Sequence, residues 1–414
     1  MHGNHTRVRR GMMAIGVAAA LALPLAACSA QPTAPTGAAT SAEAGPVTLK
    51  VWESLQGPDE FIKQAGAKFT AAHPNVTIEF VNVELGDAAS QIALDGPAGT
   101  GPDVFAAPHD KLGELVSGGH ALAVANPDAI KASVVEAAAK AATYDGTMYG
   151  YPVATETYAL YYNKKYVTDP PKTWADVIAF AKQFNSKHKG KHGFVMDVGN
   201  GYYTILFTTS QSNRLFGPDG TDTTNTNINS AASVAGMQEF VKLRQALDIP
   251  ASDLATATVD ALFSSGDAAM HISGPWNVSA FTKAKVDFGV ATLPALDGNT
   301  DPAASFAGVR TMYVSAYSKH PAEAAQFAEF LTTPEMQQLR ADVTGALAAS
   351  NSNITYQNPV VGGFADQMKY AFPMPSIPQM SKFWDAMNAA SANIWNGADP
   401  QQELDAANQT ILGK

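Results

Sequence analysis

From Val47 onward the apolar residues of this chain recur with two alternating periods, as they do where strands and helices take turns. Val47 to Trp52 alternates like a half-buried strand, and Phe61, Ile62, Ala65 and Phe69 then recur at helical spacing. Pro74-Asn75 breaks that helix, and Val76 to Val83 reads as a second strand. Asp103-Val104-Phe105 reads as a third, running out into a loop at Pro108-His109-Asp110. This rhythm predicts a mostly parallel sheet with helices on its faces.

A second series begins after Pro152. Leu160-Tyr161-Tyr162 is strand-like and Pro170-Pro171 stops the chain. Thr173 then caps a helix whose apolar positions are Trp174, Val177, Ile178, Ala181 and Phe184. Strands are expected over Gly193 to Val198, Ala268 to Ile272 and Phe288 to Leu293, and a helix over Ala231 to Leu247. The last third reads as helices: Pro321 to Leu331, Pro334 to Asp342, Ser381 to Trp395 and Pro400 to Leu412. Two α/β series of this size exceed one core, which predicts two lobes with a cleft between them. No internal repeat is visible.

Ahead of Val47 the pattern changes. Arg7, Arg9 and Arg10 precede an apolar run from Gly11 to Ala27 interrupted at Pro24, the layout of a secretory signal peptide over residues 1–27. Arginine pairs are ordinary in such heads, so Arg9-Arg10 does not choose between general and twin-arginine export. The only cysteine closes Leu25-Ala26-Ala27-Cys28, which resembles the lipobox of bacterial lipoproteins and marks Cys28 for lipidation. Residues 28–46 are poor in apolar side chains and read as a flexible linker.

Loss of 1–27 takes the formal net charge from −10 to −13. An acidic chain without a basic run is not built for nucleic acid. With Cys28 lipidated, no thiol remains for a disulfide or a thiolate metal ligand. There is no Gly-x-Ser-x-Gly elbow, His-Glu-x-x-His pair or phosphate-binding loop. His188 and His192 flank Gly190 among three lysines, a solvated turn, so neither a metal nor a cofactor is expected.

Candidate chemistry lies in the aromatic residues Tyr202, Tyr203, Trp276, Trp384 and Trp395, all near loop signals. A pyranose offers an apolar C–H face to a ring, and its rim of hydroxyls suits carboxylates and amides. Ordinary core packing is the competing reading for each ring. Trp276 sits in Gly274-Pro275-Trp276-Asn277, a turn at a strand end, where ligands of open α/β sheets bind. Asp110 and Glu156 also follow strand ends, a place where a carboxylate can accept two hydroxyls.

Several segments together are similar to the maltose/maltodextrin-binding proteins of ABC importers. They include Gly101-Pro102-Asp103 with His109-Asp110, Gly150-Tyr151-Pro152-Val153-Ala154-Thr155-Glu156 and Tyr162-Asn163-Lys164. Pro170-Pro171-Lys172-Thr173-Trp174 and Ser273-Gly274-Pro275-Trp276 belong with them, as does the run from Met374 to Trp384. They follow in order from Val47 to the C-terminus. The resemblance implies an α/β fold of the two-lobed periplasmic-binding-protein type (type II), with the ligand cleft between lobes. It implies a first lobe of 47–154 plus 312–355, a second of 159–306 plus 359–414, and a hinge near 155–158, 307–311 and 356–358. By it, Asp110, Lys111 and Glu156 bond sugar hydroxyls, Tyr202, Trp276 and Trp384 stack on successive glucose faces, and Met374 fills beside them.

Other positions depart from that family's pattern. Gln56-Gly57 stands for an Asp-Lys pair, Ala107 for an aromatic, and Asn200 for an acid just before Tyr202. Asp385 and Asn388 replace Tyr and Arg, and Arg310 replaces an apolar residue and supplies a compensating donor. The expected protein is a non-enzymatic, monomeric, lipid-anchored binding protein on the extracellular face of the membrane. It takes an oligosaccharide of maltodextrin type to ABC permease subunits. Two alternatives are a different oligosaccharide or glycoside as cargo, and a secreted glycoside hydrolase with Asp110 and Glu156 as its acid and base.

Overall fold

The computed structural model describes residues 45–210 and 212–414. The expected leader, Cys28 and the linker as far as residue 44 lie outside the described residues. The strands that position the site are β1 (Val47–Glu53), β2 (Val76–Asn82), β3 (Val104–Pro108) and β4 (Gly150–Glu156) in the first series. They are followed by β5 (Ala159–Asn163), β6 (Met270–Ser273), β7 (Phe288–Ala291), β8 (Phe306–Val314) and β9 (Phe372–Pro373).

The larger sheet runs β2-β1-β3-β8-β4, with β9 beside the start of β8. β1 is parallel to β2 and β3, as the β-α-β rhythm predicts, while β8 is antiparallel to β3 and β4. The reversal follows from connectivity: β8 returns from the other lobe and enters this sheet from its far end. Period-two alternation splits the strands' side chains between two cores. Leu49, Val51, Val104, Ala106, Met312 and Val314 pack on one face with Phe61 and Phe327. Trp52, Phe105, Ala107 and Tyr313 pack on the other with Ile92 and Leu115.

The smaller sheet, of the second series, is β6-β5-β7 and antiparallel throughout. Its core gathers Tyr161, Trp174, Phe207, Phe240, Phe281 and Trp395, each essentially inaccessible to water. Full burial of one such side chain contributes roughly 1.5–3 kcal/mol. Thr173 caps the helix Trp174–Lys187 as expected, accepting from the Asp176 amide at 3.2 Å.

Residues 193–198 are not a strand. They touch the β6 side only through isolated bridges, His192 to Ala268 and Val195 to His271. The Gly193 amide donates instead to Asn185 Oδ1 at 2.7 Å, which takes it out of any ladder. The helix expected to reach Leu247 ends at Lys242 and tightens into a 3₁₀ turn over Leu243–Gln245. Among the described residues no helix is long and apolar enough to cross a membrane.

Candidate functional site

β3 ends in a single 3₁₀ turn, His109–Lys111, that turns two buried polar side chains inward. His109 Nδ1 accepts from the Val309 amide at 3.1 Å, so the proton resides on Nε2, which donates to the Met374 carbonyl at 3.1 Å. Burial holds this imidazole neutral, lowering its pKa to about 4 against the favourable pull of the Met374 carbonyl. The next residue, Asp110, takes the Trp384 indole N–H on Oδ2 at 3.2 Å. Its Oδ1 is buried without a partner. Burial pushes this carboxyl up to about 6, although Lys111 and the Trp384 N–H both favour its charge.

Three aromatic rings gather here, Trp384 on that carboxyl and Tyr202 between it and Trp276. Tyr202 lies 6.3 Å from Trp276 and 6.4 Å from Trp384, centre to centre, and stacks on Phe306 at 6.0 Å. Each comes from a different element. Tyr202 rides the first turn of the helix Gly201–Thr208, Trp276 the one-turn helix after β6, and Trp384 the helix Met380–Trp395. The Trp276 indole folds back over Gly274, where a Cβ would stand 2.1 Å from the ring, so only glycine leaves room for it. All three rings are half-buried rather than sealed, which leaves part of each ring surface accessible. Met374 is buried, and its backbone is tied to His109.

Glu156, at the end of β4, is buried and receives Arg310 Nη1 on Oε2 at 3.4 Å. Arg310 also reaches both oxygens of Glu53, at 3.1 Å through Nε and 2.6 Å through Nη2. Its Nη2 meets Ser54 Oγ as well. Burial opposes the guanidinium's charge, but Glu53 and Glu156 overcome that and hold its pKa above the ordinary range. For Glu53 burial is likewise outweighed, by Arg310 and then Arg340, and its pKa is lowered.

Asp110, Glu156, Tyr202, Trp276, Met374 and Trp384 are thus brought together. The remaining sequence candidates stand differently. Lys111 is half-buried with Nζ 3.5 Å from Glu114. Asn200 caps the helix under Tyr202, accepting the Tyr202 amide at 3.0 Å, and Asn388 holds the Gly201 amide at 2.7 Å. Gln56 is exposed in a left-handed conformation, φ 69°, at the turn after β1. Arg310 faces Glu53 and Glu156 with all three nitrogens. Tyr203 and Trp395 are core residues, the latter donating to the Ile249 carbonyl at 2.7 Å. Glu53 and Phe306 escaped the sequence reading. His109 entered it only as a motif letter beside Asp110. A separate recess of about 530 Å³ opens beside β1 and β2 around Trp52, Val81 and Glu84, and it shares no residue with this cluster.

A two-lobed α/β protein with a ring-lined, carboxylate-bearing centre has the form of a binding protein. The chain belongs to the bacterial extracellular solute-binding protein family, matched over residues 64–360. It is 30% identical over 379 residues to the galactooligosaccharide-binding protein of Bacillus subtilis, covering 88% of this chain and 89% of that one. It is also 30% identical over 368 residues to the maltooligosaccharide ABC transporter solute-binding lipoprotein of Streptococcus pneumoniae, covering 83% and 82%. In structure it resembles the Thermus thermophilus maltotriose binding protein bound with maltotriose. That match has a TM-score of 0.81 and 28% identity, over 88% of this chain and 99% of that one.

Proposed function

We propose that this solute-binding protein captures a maltodextrin-type oligosaccharide between its lobes and delivers it to an ABC permease when the lobes close. The observation that carries this reading is the grouping of Trp276 and Trp384 around Tyr202, with Trp384 bonded to Asp110, whose Oδ1 is buried without a donor. Rings supply flat faces for successive pyranoses, and the unmet acceptor suits a sugar hydroxyl. Closure then needs no bond breaking: a ligand that touches both lobes only in the shut state shifts the equilibrium toward it. A micromolar sugar supplies about 8 kcal/mol in all, and only the part felt by the closed state drives the motion.

In this reading the lobes comprise 47–154 plus 312–355 and 159–306 plus 359–414. They turn about a hinge near 155–158, 307–311 and 356–358. The protein acts as a monomer without catalysis, held at the extracellular face of the membrane by lipid on Cys28. Calorimetry of the purified protein against maltose, maltotriose, a longer maltodextrin, a galactooligosaccharide, trehalose, sucrose and raffinose tests the cargo. Tight binding of the α-1,4 glucans alone is expected. Preference for the galactooligosaccharide would move the cargo to the alternative class that the Bacillus subtilis relative suggests. Reducing-sugar release from maltotriose would replace binding with hydrolysis by Asp110 and Glu156.

A further inference from the structure

Arg310 lies in the middle of β8, 3% exposed, and its side chain reaches Glu53. The two-pronged contact with Glu53 fixes the plane of the guanidinium, because Nε and Nη2 each take one carboxylate oxygen. Glu53 is itself held by the Ser54 amide at 2.8 Å and approached by Arg340 at 3.5 Å. With that plane set, Nη1 has one place to point, and Glu156 Oε2 is there. No other donor among the described residues reaches the Glu156 carboxylate. Two carboxylates and two guanidiniums make a neutral buried cluster, and Glu156 is the member of it near enough for its charge to act on the Tyr202 hydroxyl.

We propose that Arg310 is a positioning residue for the ligand: anchored on Glu53, it sets from behind the Glu156 carboxylate that meets the sugar. This rests on the oligosaccharide reading given above. It differs from a direct donor role for Arg310, four of whose five N–H groups are already engaged within the protein. It differs also from a purely structural role, in which Arg310 would only neutralise a buried Glu53. A positioning residue works through its partner, so its effect on affinity must vanish when the partner is removed.

The test is a double-mutant cycle on the full protein, read by calorimetry with whichever panel sugar the unsubstituted protein binds. Arg310→Gln and Glu156→Gln are each expected to weaken binding about tenfold. The double variant should be about as weak as the weaker single one, not about a hundredfold down. Arg310→Lys keeps the charge but cannot fork, and it is expected to stay weak. If Arg310→Gln fails to fold, Arg310→Lys takes its place in the cycle. Additive losses, or unchanged affinity in the Arg310 variant, would overturn the positioning role while leaving the sugar reading intact. Failure of the unsubstituted protein to bind any sugar in the panel would overturn both.

Discussion

His109 and Asp110 are neighbours in sequence, both buried, and burial shifts them in opposite directions: the imidazole down to about 4, the carboxyl up to about 6. For His109 the unfolded chain binds a proton below about pH 6.5, where the folded protein does not. Its contribution to stability is therefore complete above about pH 6.5 and lost as pH falls toward 4, a swing of about 3 kcal/mol. For Asp110 the folded protein holds its proton up to about pH 6 while the unfolded chain has released it. That stability is present below about pH 3.8 and lost as pH rises through 6, again by about 3 kcal/mol. Between pH 4 and 6 the two slopes cancel. Asp110→Asn removes one of them. Relative to the unsubstituted protein, the variant should gain about 2 kcal/mol between about pH 4.5 and pH 7. His109→Gln, which keeps a donor and an acceptor but does not titrate, should lose a similar amount over the same range. Urea unfolding without sugar at about pH 4.5, 5.5 and 7, extrapolated to water, measures both. Stability profiles parallel to that of the unsubstituted protein in both variants would refute the reasoning.

Three further outcomes are expected. Trp384→Ala and Trp276→Ala should each weaken sugar binding by about 1–3 kcal/mol, as for aromatic anchors at other interfaces, and unchanged calorimetric affinity in both would sink the stacking roles. Gly236→Ala places a Cβ 1.7 Å from the Phe207 carbonyl where two helices meet. It should destabilise the fold by about 3 kcal/mol in denaturant titration. Thr173→Ala removes the cap on the helix Trp174–Lys187, and a loss of about 1 kcal/mol is expected by the same titration, with sugar affinity untouched.

The legible parts of this fold are those whose causes are local. Alternation in Val47–Glu53, the i, i+3, i+4 stripe of Phe61, Ile62, Ala65 and Phe69, and the Thr173 cap all act within a dozen residues. β8 was not legible. Gly308 and Arg310 interrupt its apolar run, and the carboxylate that makes a buried arginine tolerable there is Glu53, 257 positions away. The helix Gly201–Thr208 was missed for a related reason: it opens on glycine and carries little amphipathic pattern, being buried almost all round. Asn200 stands where the family pattern has an acid before Tyr202, and its side-chain oxygen closes the first turn of that helix, a role set by local backbone geometry. Loop signals pick out the five candidate rings, and the resemblance rather than periodicity narrows them to Tyr202, Trp276 and Trp384. Spacing in the chain does not separate Trp384, which is half-buried, from Trp395, which is sealed in the core.

The two large cores are interleaved along the chain. One draws on residues between 47 and 153 and again between 309 and 349, the other on residues between 158 and 306 and again between 360 and 411. β8 is inserted between β3 and β4, strands synthesised about half a chain earlier. A nascent chain that stops short of β8 holds neither core complete, so neither lobe can finish folding before β8 emerges. Closure of such long loops is slow. The polypeptide therefore remains unfinished, and open to threading or to chaperones, until nearly its whole length has been made.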